Sequence, residues 1–152
     1  MDVSLIKKAA IFSTLDDDEI ARVVEICKEQ SFKFGQTIFK EGEPGNRLYI
    51  ISTGDVRISR VVPGSGEEAL TVLKPGACFG EMAVFDRSER STDAIANTDC
   101  TLLTITRSDF EILLDFNRDI SYKVLWAVVR LLSERLRITN DNLRSFLAMS
   151  MF

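Results

Sequence analysis

Histidine is missing from this sequence altogether. That takes away the commonest general base and the commonest metal ligand, so zinc-dependent or hydrolytic chemistry has little to work with. Cysteine is scarce. Cys27, Cys78 and Cys100 lie far apart and form no Cys-x-x-Cys pair, the pattern of small buried apolar residues in a reducing compartment rather than of disulfides or metal ligands. No apolar run approaches the ~20 residues a membrane span needs. Met1 to Ser4 lack the basic start and apolar stretch of a secretory signal, so a cytoplasmic location is expected. An excess of positive charge is absent too: the formal net charge is −4 and the isoelectric point near 5.0. This argues against a general nucleic-acid binder, which needs a positive face toward phosphates. A small anionic ligand stays open, because one local arginine decides that.

What is present suits one domain over residues 1–152, with 45% hydrophobic and 28% charged residues. It reads as three zones, 1–30 helical, 31–107 strand-like and 108–152 helical. In the first, running from Asp2 to about Gln30, Asp16 and Glu19 stand at capping-box spacing, with Leu15 and Ile20 as a hydrophobic staple around them. Ile20, Val23, Val24 and Cys27 then form an apolar face at helical spacing. In the second, short β-branched and apolar segments (residues 36–39, 47–51, 56–62 and 69–73) alternate with Gly/Pro turns. Such spacing points to a β-sandwich, jelly roll or small barrel.

In the third zone Ser108 is placed to cap a short helix through Leu114, and a long helix follows from about Ile120 to Phe146. Along it Leu125, Val129, Leu132, Leu136, Thr139, Leu143 and Phe146 recur at alternating spacings of four and three, a coiled-coil seam at which two copies would meet. The same seam could instead pack on the domain's own barrel, although Ile120, Val124, Val128 and Leu131 already form a neighbouring stripe for that. Thr139 is the one polar residue in the seam.

The segment from Gly76 to Ala96 stands apart. Gly80 lets a backbone N–H approach an anion or the chain adopt positive φ, and Glu81, Met82 and Ala83 could form one helical turn with free N–H groups. The planar guanidinium of Arg90 suits two phosphate oxygens, leaving Glu81 to accept from a sugar hydroxyl. On residue types alone, a direct Glu81–Arg90 ion pair is the favoured reading.

Phe79, Gly80, Glu81, Met82 and Ala83, followed by Arg90, Ser91 and Thr92, resemble the phosphate-binding cassette of the cyclic-nucleotide-binding domain family. Gly35, Gly42, Gly45 and Gly54 fall where that family has glycines between its early strands, and Phe12 and Leu15 match its N-terminal helix. The resemblance covers essentially the whole chain. It implies a mainly β double-stranded β-helix jelly roll with flanking helices and a long C-terminal dimerisation helix. It also implies roles: Gly80 and the amides of Met82 and Ala83 cradling a cyclic phosphate, Glu81 on the ribose 2′-hydroxyl, Arg90 neutralising the phosphate, and Ser91 adding a contact. The stretch Arg135 to Leu143 is similar to the central helix of bacterial catabolite-activator-type regulators, in which a Thr and the polar residue after it, the second from the partner subunit, meet the adenine ring. Thr139 and Asn140 fall there, with Thr139 as a register-setting residue the other reading.

The expectation is therefore a non-enzymatic regulatory module without metal or cofactor. It binds a cyclic purine mononucleotide, cAMP before cGMP, dimerises through its last helix and passes occupancy to that helix and to a downstream protein partner, with no membrane role. Asp93 departs from the family pattern by placing a carboxylate near the phosphate site, where it would weaken the anion or pair with Arg90. This favours an alternative, a degenerate dimeric scaffold that binds no nucleotide. Because no helix-turn-helix follows the central helix, direct DNA binding is not expected, and the other alternative is a Crp/Fnr-type regulator cut before its DNA-binding domain.

Overall fold

A capping box starts the first long helix. In the computed structural model, which describes residues 3–151, Asp16 accepts from the Glu19 amide and Glu19 from the Asp16 amide, both at 2.9 Å. Helix α2 (Asp17–Ile26) follows α1 (Val3–Lys8) and a 3-10 turn at Ala10–Phe12. Of the face expected from helical spacing, Ile20, Val23 and Cys27 are buried and Val24 is half-buried, and Leu15 of the staple is buried too. Burial pushes the Cys27 thiol up to about 12, in keeping with an unreactive core residue. Asp2, where the helical zone was expected to begin, and Phe152 lie outside the described residues.

Eight strands follow: β1 (Lys28–Phe32), β2 (Thr37–Phe39), β3 (Arg47–Thr53), β4 (Val56–Val62), β5 (Gly66–Leu73), β6 (Cys78–Phe79), β7 (Asp93–Ala96) and β8 (Cys100–Thr106). They form two four-stranded antiparallel sheets, ordered β1-β8-β3-β6 and β2-β7-β4-β5, the expected jelly roll. The helical first zone ends earlier than the composition of Lys28, Glu29 and Gln30 suggests. These helix-compatible residues pair with Thr104, Leu103 and Leu102 of β8, and ladder bonds at a sheet edge outweigh local propensity.

Alternation along β3 explains how the layers stack. Leu48 and Ile50 face a core shared with the N-terminal helices and the two C-terminal ones. Tyr49 and Ile51 face a second core between the sheets, with Phe39, Val56, Phe79 and Leu102. The first sheet is covered on both faces, so its central strand reads as an unbroken apolar run rather than an alternating one.

Two helices close the chain, α4 (Arg107–Phe116) and the 33-residue α5 (Arg118–Ser150). The α4 cap is Thr106 rather than the expected Ser108: its hydroxyl accepts from the Asp109 amide at 3.2 Å, because β8 runs directly into the helix and puts the extended capping residue at the strand's last position. In α5, Ile120, Val124 and Val128 are buried and Leu131 half-buried against the first core. Beyond Leu131 every described residue is exposed, so Leu132, Leu136, Leu143 and Phe146 of the seam have no cover within the chain. The seam therefore does not pack on the domain's own barrel.

Candidate functional site

Helix α3 (Glu81–Asp86) forms the centre of the site. Gly80 precedes it at φ 76, left-handed backbone that glycine adopts without the cost a side chain brings. A Cβ there would also come within 2.7 Å of Arg90 Nη1. The helical turn expected after Gly80 is present, and its first amides have no intrahelical acceptor by geometry.

Arg90 lies under this turn, 6% exposed. Its main chain is held by the loop before β3: the Gly42 amide donates to Arg90 O, and the Arg90 amide donates to Glu43 O, each at 2.8 Å. Its guanidinium donates to Gly80 O at 2.8 Å and Arg47 O at 2.6 Å and lies 4.2 Å above the centre of the Phe39 ring. The Nε–H is buried without an acceptor. Among the described residues Arg90 forms no ion pair, with Glu81 or with any other carboxylate. Asp93 is tied elsewhere: it accepts from the Glu41 amide at 2.7 Å. Burial lowers the Arg90 pKa, opposed first by Tyr49 and reinforced by the nearby Arg107 charge, so an anion beside it would relieve both desolvation and repulsion.

Glu81 is 4% exposed, and its partner is Arg135 of α5, whose Nη2 donates to Oε1 at 2.9 Å. The direct Glu81–Arg90 pairing open at the level of residue types is therefore not the one formed. Phe79 is buried and stacks on Tyr49 with ring centres 5.1 Å apart, which makes an apolar wall.

Phe79, Gly80, Glu81, Met82, Ala83, Arg90, Ser91 and Thr92 all line one cavity of about 290 Å³, together with Ile58, Thr71, Leu73 and Arg135. That is near the lower end of small-molecule sites, roughly 300–1,000 Å³. The buried cation, its unmatched Nε–H, the absent Cβ at Gly80 and the apolar wall fit a compact anion carrying an apolar ring. Thr139 and Asn140 are not brought to this cavity in the single chain. Both are exposed on α5, and the Thr139 hydroxyl donates back to Arg135 O at 2.8 Å.

Sequence reasoning missed Arg135, Arg107, Phe39 and Tyr49. The signal for Arg135 was there: the stripe Ile120, Val124, Val128, Leu131 continues at helical spacing to residue 135, so this charge stands on the barrel-facing side of α5. No motif marked Arg107, whose Nη2 donates to Gly45 O and, at 3.2 Å, to Ala83 O.

Comparisons with known proteins agree with this fold. A CRP-like cAMP-activated global transcriptional regulator of Mycobacterium tuberculosis is 35% identical over 139 residues, covering 91% of this chain and 60% of that protein. The chain thus spans about three fifths of the length of that curated relative. The N-terminal domain of a transcriptional regulator from Streptomyces coelicolor superposes with a TM-score of 0.80 at 32% identity, covering 91% of this chain and 94% of that one. The catabolite activator protein of Thermus thermophilus gives 0.79 at 33% identity, over 88% of this chain and 61% of that one. The family described as "Cyclic nucleotide-binding domain" matches residues 29–117, a span that contains both sheets but for Lys28 and the whole Phe79–Thr92 cassette, and the chain belongs to that family.

Proposed function

We propose that the cavity binds a cyclic purine mononucleotide, cAMP in preference to cGMP, and that α5 reports its occupancy. The observation that carries this is Arg90: a buried guanidinium bonded only to carbonyl oxygens, with no carboxylate partner and one donor unmatched. Neutral carbonyls leave its full charge available to the single negative charge of a cyclic phosphodiester. Gly80 and the amides of Met82 and Ala83 cradle the phosphate, with Ser91 and Thr92 at the rim, and Phe79 backs the cradle. Glu81 receives the ribose 2′-hydroxyl. Binding in this form calls on no metal or cofactor, and the module is regulatory rather than enzymatic.

The Glu81–Arg135 bond supports coupling to α5. A ribose hydroxyl on Glu81 competes for, or reshapes, the carboxylate that anchors α5 to the cassette, so ligand and helix position are linked. The exposed seam supports a homodimer along α5. This would put Thr139 of one copy and Asn140 of the other over the base, the basis of the cAMP preference. Output then passes to a protein partner in the cytoplasm. The bond from the Glu41 amide to Asp93, in place of an Arg90–Asp93 pair, supports this reading over a scaffold that binds no nucleotide.

Calorimetric titration tests this directly. Wild type should bind cAMP more tightly than cGMP, and Arg90→Ala should lose at least about a hundredfold in affinity, the cost of removing one member of a desolvated charge pair. Flat traces for both nucleotides at several hundred micromolar would overturn the reading.

A further inference from the structure

Two arginines, not one, bind the segment before β3 to the cassette. Arg90 bridges Arg47 O to Gly80 O. Arg107 bridges Gly45 O to Ala83 O. Each guanidinium spans one carbonyl of the 45–47 segment and one carbonyl of the 80–83 turn, so the same two stretches of backbone are clipped together twice. The packing between them is tight. A Cβ on Gly45 would fall 2.2 Å from Ala83 Cβ and 3.2 Å from the centre of the Arg90 guanidinium. Arg107 does not line the cavity, so its fork has no direct path to a bound ligand.

The two clips have different fates once an anion arrives. Arg90 faces the cavity: its unmatched Nε–H is free for a phosphate oxygen, and any Nη donor it turns the same way is withdrawn from Gly80 O or Arg47 O. Arg107, behind the turn, keeps both carbonyls. We infer that Arg107 is a positioning residue for anion binding: it holds the 80–83 turn in register with the 45–47 segment while Arg90 is engaged by the phosphate. The inference rests on the cyclic-nucleotide reading of the same cavity and adds a residue to it. Both bonds leave one nitrogen, Nη2, whose two N–H groups are fixed in the guanidinium plane, whereas the donors of a lysine ammonium rotate on a flexible stem. Lysine at 107 therefore keeps the charge and loses the clip. Main-chain geometry is spared by the substitution, because the Arg107 amide donates to Asn46 O at 2.8 Å independently of the side chain.

The test is titration of wild type and Arg107→Lys with cAMP and with the two diastereomers of its exocyclic phosphorothioate, alongside the thermal midpoint without ligand. Sulfur in one diastereomer replaces the oxygen facing the backbone turn, and in the other the oxygen facing Arg90. A loosened turn blunts the first penalty and spares the second. Arg107→Lys should weaken cAMP binding roughly tenfold, the scale of one charge-assisted hydrogen bond, and should change the ratio of the two diastereomer affinities by threefold or more. An unchanged ratio, whether cAMP affinity is kept or all three ligands weaken together, overturns the inference, because a stabilising or purely electrostatic role would do only that. Failure of wild type to bind cAMP counts against the nucleotide reading instead. Should Arg107→Lys not fold, the wild-type guanidinium signals decide. Separate, slowly exchanging Arg107 Nη–H resonances at saturating cAMP support the clip, and their collapse into one averaged signal refutes it.

Discussion

Glu81 and Arg135 stand 54 residues apart in the chain and 2.9 Å apart in the fold. The carboxylate is almost wholly buried and the guanidinium about half exposed, at 5% and 49% of side-chain surface. The bond joins the cassette to α5 at the point where that helix leaves the barrel, four residues past Leu131, the last one packed on the core. Whatever alters the state of Glu81 is felt at this junction before it is felt elsewhere on the helix.

Removing the arginine separates its two effects. Arg135→Ala should destabilise the ligand-free protein by about 1–3 kcal/mol, because it leaves the buried Glu81 carboxylate without its partner while solvent at the half-exposed arginine limits the loss. It should also raise amide hydrogen exchange selectively in α5 beyond residue 131, with the β8 and β3 amides unchanged. Equal protection of the helix in both proteins would show that the bond does not anchor it.

Gly45→Ala tests the close approach of two backbones rather than a charge. With a Cβ 2.2 Å from that of Ala83, the 45–47 segment and the 80–83 turn must separate, a cost of about 1–3 kcal/mol for overpacking. The thermal midpoint should fall and nucleotide affinity with it, because the displaced turn is the one that lines the cavity. A variant as stable as wild type would mean that the two segments part without strain.

The capping box, the strand spacing, the cassette and the buried stripe of α5 were legible because each is local, written within a few residues by hydrogen-bonding chemistry or periodicity. The partner of Glu81 was not. On residue types the pairing with Arg90 is the favoured one, yet Arg90 is turned beneath the helical turn toward carbonyls and Arg135 arrives from another helix. Choosing between two arginines requires the packing of α5 on the first sheet, which only the tertiary fold supplies. Arg107 was invisible for a related reason, since its acceptors are main-chain carbonyls, which leave no trace in residue identity. The end of the first helical zone failed differently: Lys28, Glu29 and Gln30 have helix-compatible side chains, and the ladder to β8 overrides them.

The uncovered seam predicts an association that a single substitution should abolish. Leu136 is 61% exposed in the chain and lies in the part of α5 beyond Leu131, where every described residue is exposed. Leu136→Glu should leave the far-ultraviolet spectrum and the thermal transition of the barrel in place. In sedimentation velocity it should convert a dimer of wild type into a monomer, since like charges would face each other across the axis. A wild type that sediments as a monomer at tens of micromolar would remove the seam from the account.

At the other end of α5, Lys123 Nζ meets Glu19 Oε1 at 2.5 Å, so that the capping-box carboxylate of α2 also holds the final helix. The hydrogen bond to Glu19 raises the lysine pKa above its ordinary value of 10.5, with burial opposing. A group whose pKa is higher folded than unfolded stabilises the fold fully below the unfolded value, and the contribution disappears as pH rises through the folded value. Lys123→Met keeps the aliphatic stem and removes the charge. The difference in thermal midpoint between wild type and this variant should be constant from pH 7 to about 9.5 and shrink above about 10.5. Other lysines and tyrosines titrate in the same range in both proteins, and the subtraction removes them. Glu19 keeps its bond from the Asp16 amide in the variant, so the α2 cap survives and the change reports the α2–α5 tie itself. A difference that does not vary up to pH 11.5 would place the stabilising role of Lys123 in its methylene stem rather than in its charge.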